Sequence, residues 1–142
     1  MASRGRGARQ KGFQFERDVA AAFSEATGFE FKRGLGQTRG GGSEVPDVLP
    51  PPGILRLAFH IECKRQKVCS IKGAMKQAVN DIGDGSQMPI VVTKDDRKDT
   101  LVTMQMSDFL KLFSLFAQML QAPSDGPTIS FSARSFGADD EQ

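Results

Sequence analysis

The sequence predicts an α/β domain with a mixed central sheet of four or five strands and helices on both faces. Three observations carry that expectation. At 142 residues, 39% hydrophobic and 25% charged, the chain is long enough for one packed core and too short for two ordinary ones. Its apolar residues switch between helical spacing and strand alternation in the order helix, strand, strand, strand, helix, strand, strand, helix. No run of about 18 apolar residues occurs, so no transmembrane helix is expected and the chain reads as a soluble domain.

The elements follow in order. Residues 1–11 are rich in Gly and Arg and carry Arg4, Arg6, Arg9 and Lys11 without an acid, which reads as a flexible basic arm with no apolar secretory segment behind it. From Gly12 to about Thr27, Phe15, Val19, Phe23 and Ala26 recur at helical spacing, with Gly28 placed to stop the helix. Glu16 lies beside that apolar stripe. Phe29 to Arg33 alternates as a short strand, and Gly34 to Ser43, with five glycines in ten residues, is a loop. It lacks the GK[S/T] ending of a P-loop, which excludes a phosphate cradle of that kind. Arg33 and Arg39 bracket the loop. Glu44 to Leu49 forms the next strand candidate, stopped by Pro50, Pro51, Pro52 and Gly53.

Ile54 to Lys64 then reads as one long strand. Leu55, Leu57, Phe59, Ile61 and Cys63 share one face, expected to be core, and Arg56, Ala58, His60, Glu62 and Lys64 share the other. Ser70 can cap a helix carrying Ile71, Ala74, Met75, Ala78 and Ile82 and ending at Gly83. Met88 to Thr93 and Leu101 to Met106 are the last strands of the main body. Ser107 can cap a final helix, to Leu120, whose apolar residues cover more of its circumference than one core-facing stripe needs. That helix is expected either to be deeply buried or to pack on another subunit. Residues 12–121 thus form the domain, and 122–142 an extension with a strand candidate at Thr128 to Ala133 and an acidic end.

Two cysteines, Cys63 and Cys69, are too few for a disulfide scaffold and favour a reducing compartment. The net charge of +2 hides an asymmetry: without Asp139, Asp140 and Glu141, 19 bases stand against 14 acids. A mildly basic body favours a polyanionic partner. A zinc site from His60, Cys63 and Cys69 is disfavoured, because His60 and Cys63 point to opposite faces of one strand and no fourth ligand is near. Cys63 reads as a small core residue and His60 as a neighbour of whatever site Glu62 builds. The phenylalanines at 13, 23, 109, 113 and 116 read as core, and the absence of Trp and Tyr disfavours a stacking-based single-strand binder.

The chemistry-bearing residues are Pro46-Asp47 and, after fourteen intervening residues, Glu62-Cys63-Lys64. Carboxylates on neighbouring strands can share a hard divalent cation, and a lysine two residues after the second projects from the same face. This pattern resembles the PD…(D/E)xK motif of the restriction-endonuclease-like nucleases. Lys11-Gly12-Phe-Gln-Phe-Glu16-Arg17 resembles the K-G-x-x-x-E-R opening of the archaeal and phage Holliday junction resolvases, and the likeness runs over roughly residues 11–113.

The resemblance implies a restriction-endonuclease-like core, metal-binding carboxylates at Glu16, Asp47 and Glu62, a further ligand in the Cys63 backbone carbonyl, and a catalytic lysine at Lys64. The cofactor it implies is Mg²⁺, with Mn²⁺ as a substitute. Its partner is DNA, preferably a four-way junction, met by a homodimer in the cytoplasm of a bacterial, archaeal or phage-infected cell. Arg4, Arg6, Arg9, Lys11, Arg33, Arg39, Ser43, Arg65, Lys67 and Gln77 are the candidate DNA contacts. A general or nicking endonuclease of the same fold, or a catalytically silent DNA-binding accessory protein, stands as the alternative.

Overall fold

The computed structural model of the chain describes residues 3–35 and 45–121, with side chains from Gly5 onward. Four helices, α1 (Ser3–Thr27), α2 (Ile54–Ala58), α3 (Ile71–Ile82) and α4 (Met106–Gln121), surround five strands, β1 (Lys32–Arg33), β2 (Val48–Leu49), β3 (Phe59–Gln66), β4 (Met88–Asp95) and β5 (Thr100–Met104). The strands form one sheet in the order β1-β2-β3-β4-β5. Only β3 and β4 run parallel, with α3 as the crossover that a parallel pair requires. The expected mixed sheet with helices on both faces is present.

Helix α1 covers one face. Phe15, Val19 and Ala20 bury against Phe31, Val48, Ile61, Cys63, Ile90 and Val92, so the apolar stripe meets alternate residues of β3 and β4. The Phe23 and Phe31 rings meet at a tilt with centroids 5.2 Å apart, and the Phe31 N–H donates to Ser24 Oγ at 2.9 Å, which fixes the entry into β1. Helix α3 covers the other face through Ala74 and Ala78 against Val91. The small side chains let the helix approach closely. Ser70 caps it by accepting from Gly73 N–H, and Gly83 ends it at a positive φ of 71°.

Several boundaries depart from expectation. Helix α1 begins at Ser3 rather than Gly12, so the basic segment continues the helix, with the side chains of Arg6, Arg9 and Lys11 in solvent. The strand expected over residues 54–64 is two elements. Gly53, at φ 113°, turns the chain into the short α2, whose Arg56 Nε donates to the Pro50 carbonyl at 2.9 Å. Strand β3 starts at Phe59 because its ladder with β4 starts there, at Phe59↔Met88. Alternation without a neighbouring strand makes no strand. Nor is one face of β3 core and the other open, since His60 and Glu62 are buried as fully as Ile61 and Cys63.

Helix α4 starts at Met106, and Gln105, not Ser107, receives the first backbone bonds, from Asp108 and Phe109. Its only buried residue is Asp108, salt-bridged to Lys111. Leu110, Phe113, Leu115 and Met119 are all about half exposed or more, at 49, 55, 59 and 61%. Burial inside the monomer is therefore not what this helix shows among the described residues. The strand expected at Thr128 to Ala133 lies outside them.

Replacing Ser70 by Ala is expected to cost about 1 kcal/mol of stability, read as a lowered urea midpoint at unchanged slope, because α3 loses the acceptor for its first-turn N–H.

Candidate active site

Strand β2 pairs with β3 at a single position, Val48↔Ile61. Continued by one residue, that antiparallel register sets Asp47 opposite Glu62, and directly opposed residues share a face of the sheet. There the backbone ladder gives way to a side chain: the Cys63 N–H donates to Asp47 Oδ2 at 2.8 Å. The N–H and C=O of one strand residue leave on the same side, so the Cys63 carbonyl also faces the Asp47 side of β3. Lys64, two residues beyond Glu62, returns to the face of Glu62.

The position of Asp47 is set by β1. Gly34 N–H donates to the Asp47 carbonyl at 2.8 Å, and a Cβ at Gly34 would overlap the Pro46 carbonyl oxygen. Glycine here permits a close backbone approach that no side chain would allow. Glu16, from α1, is salt-bridged to Arg33 Nε, and the Arg33 guanidinium also lies 3.9 Å from the Phe13 ring centre. Arg33, a candidate DNA contact in the sequence, is engaged in orienting Glu16.

The carboxylates crowd one another. Asp47 is pushed up from its ordinary value to about 7, first by burial, then by the charge of Glu62 and a hydrogen bond with it, against the opposing Cys63 N–H and the Lys64 charge. Glu16 is also raised, by burial first and in part by the charge of Asp47, although the hydrogen bond from Arg33 opposes the shift. Burial raises the Cys63 thiol, which packs in the apolar core as a small hydrophobe. A cluster of buried carboxylates that resist ionising together suits a hard divalent cation: Asp47, Glu62 and the Cys63 carbonyl offer only oxygen donors, and a cation removes the repulsion between the acids.

Of the other candidates, Arg6, Arg9 and Lys11 are exposed along α1, with Lys11 4.0 Å from Asp96. Arg65 is partly buried on the face of β3 opposite Glu62, Lys67 is exposed beyond the strand end, and Gln77 is exposed on α3. Arg39, Ser43 and the side chain of Arg4 lie outside the described residues. The sequence reading missed two features. One is the Arg33–Glu16 pair, joined across seventeen positions with no local signal. The other is Asp81, which stands with His60 and Glu62. It follows Ala78 by three residues and Ala74 by seven, so the sheet-facing periodicity of α3 pointed to it.

A sheet that carries an aspartate at a strand fork, a glutamate and a lysine two apart on the next strand, and a helical glutamate beside them defines a PD-(D/E)xK nuclease. The comparisons agree: residues 7–125 match the family model described as phage putative PDDEXK endonuclease, and the chain belongs to that family. No curated protein and no solved structure matches it. No helix among the described residues is long and apolar enough to cross a membrane.

The raised Asp47 has a measurable consequence. Its folded-state pKa lies above the unfolded one, so the stability it contributes is present below about pH 4 and lost as pH rises through about 7. In chelator, the melting temperature of the parent is expected to fall relative to Asp47→Asn across that window. A divalent cation should reverse the fall.

Proposed function

We propose that this nuclease is a metal-dependent, structure-selective DNA endonuclease, and that its preferred substrate is a four-way junction. The observation that supports metal-dependent cleavage is the convergence of Asp47 and Glu62 at the end of the β2–β3 ladder, with Lys64 on the same face. Asp47, Glu62 and the Cys63 carbonyl are the residues to hold Mg²⁺, and Mn²⁺ in its place, with Glu16 completing the set directly or through water. When bound, the cation neutralises charge on the scissile phosphate and acidifies water.

The chain's own residues do the rest. The Lys64 ammonium orients the attacking water and donates to the oxygen on which charge grows as the P–O bond breaks. Arg33, braced on Phe13, holds the Glu16 carboxylate toward Asp47. Exposed Arg6 and Arg9, with Lys11, Lys67 and Gln77, are placed to meet DNA phosphates or grooves away from the reacting centre.

The junction preference rests on the K-G-x-x-x-E-R resemblance and on symmetry. A four-way junction is cut on two opposing strands, which calls for two active sites related by a two-fold axis. A second copy of this chain supplies the second site, and the exposed apolar face of α4, Leu110, Phe113 and Met119, is the surface we assign to it. An open apolar hollow of about 310 Å³ between α1 and β5, lined by Val19, Phe23, Ala26 and Val102, offers a reciprocal seat. The runner-up reading, a general or nicking endonuclease, needs neither dimer nor junction.

Labelled four-way junction, duplex and single strand, each with Mg²⁺ and with chelator, test the proposal. Paired nicks on the junction, absent in chelator, are expected; equal cutting of duplex sinks the junction preference. Asp47→Asn, Glu62→Gln and Lys64→Ala should each lose about two to three orders of magnitude in rate while retaining DNA binding.

For the dimer, sedimentation of the parent at micromolar concentration should show two copies, and Phe113→Glu should give a folded monomer. A monomeric parent would refute that assignment.

A further inference from the structure

We propose that His60, Glu62 and Asp81 form a second cation site, which takes a first-row transition ion such as Mn²⁺, Co²⁺ or Zn²⁺ in preference to Mg²⁺ and shares the Glu62 carboxylate with the site at Asp47. Only the sharing rests on the assignment of Asp47 and Glu62 above. The three-residue set stands on its own geometry.

His60 and Glu62, two residues apart on β3, project from the face that α3 covers, and Asp81 comes down from the last turns of α3. One donor atom from each lies within 4.8 Å of the other two. His60 Nε2 and Glu62 Oε1 are 2.9 Å apart. Two donors bound at about 2.1 Å to one ion and set at right angles stand about 3 Å apart, so this pair already has the separation of neighbouring ligands. Asp81 closes the set by a side-chain adjustment.

Burial makes the group more than a surface cluster. His60 and Glu62 are 1 and 5% exposed, and Asp81 Oδ2 is a buried oxygen with no hydrogen-bond partner among the described residues. An unpartnered buried carboxylate oxygen is costly unless something positive meets it.

The donor set also selects the ion. Imidazole nitrogen favours the later first-row metals over Mg²⁺, which demands oxygen donors and sheds water reluctantly. Three protein ligands leave a position open for water or a phosphate oxygen. Glu62, whose register position lies opposite Asp47 and whose Oε1 is 2.9 Å from His60 Nε2, is placed to bridge two ions. The second ion would hold the shared carboxylate still.

Equilibrium dialysis against Co²⁺ in excess Mg²⁺ tests this, with binding read by metal analysis and by the visible absorption of Co²⁺. The parent is expected to retain one Co²⁺ per chain and to melt higher with it. Asp47→Asn should retain it as well, whereas His60→Gln and Asp81→Asn should bind at least about tenfold more weakly. His60 is central to the core, so Asp81→Asn, on a partly exposed helix position, is the deciding variant, with its metal-free melting temperature confirming the fold. Co²⁺ retention by Asp81→Asn equal to the parent, or no retention by the parent, overturns the proposal. Loss in Asp47→Asn also overturns it, by placing the ion between Asp47 and Glu62. The junction-cleavage assay fails or succeeds separately from all of these outcomes.

Discussion

The hydrogen bond from the Cys63 N–H to the Asp47 carboxylate is the contact around which the rest is arranged. It occupies the place where β2 and β3 would otherwise continue their backbone ladder, so the sheet forks there. A fork built this way leaves a carboxylate where a neighbouring strand would be and turns the carbonyl of Cys63 toward it. The same residue that ends the strand pairing thus begins the site. Neighbouring packing keeps that geometry: Gly34 lets the chain after β1 lie against Pro46, and Val48 and Ile61 bury against α1 on the other face of the sheet.

Negative charge is concentrated at this point and only partly offset, by Arg33 at Glu16 and by Lys64 near Asp47. Asp47 and Glu62 share one pocket, Glu16 adds a third carboxylate held by Arg33, and Asp81 adds a fourth beside His60. Folding brings these acids together against their mutual repulsion, and the apolar packing of α1 and α3 on either face of the sheet supplies the driving force. Carboxyl groups raised by burial and by one another, as Asp47 and Glu16 are, cluster at functional sites.

The periphery contrasts with this ordered centre. Helix α4 leaves the edge of the sheet after β5 and carries its leucines and phenylalanines into solvent, while the basic first turns of α1 extend in the other direction of the chain. One helix thus exposes an apolar face and another exposes Arg6, Arg9 and Lys11.

The mixed sheet, the α3 cap at Ser70 and the placing of Asp47 beside one short strand with Glu62 and Lys64 on its neighbour were legible in the sequence, because period-two and helical periodicities, caps and the two-residue step of the motif are local properties of the chain, whereas the short α2 between β2 and β3 was not. Only the tertiary structure decided where β3 begins, since Leu55 and Leu57 alternate as a strand would but have no β4 partner beside them. It alone brought Arg33 to Glu16 and Asp81 to His60, pairs whose members lie on different elements and meet through packing. It also settled the surroundings of His60: the sequence placed it beside the site, whereas its complete burial and its bond to Glu62 follow from how closely the small residues Ala74 and Ala78 allow α3 to approach the sheet. Distances between separate elements depend on such packing, and no local pattern encodes them.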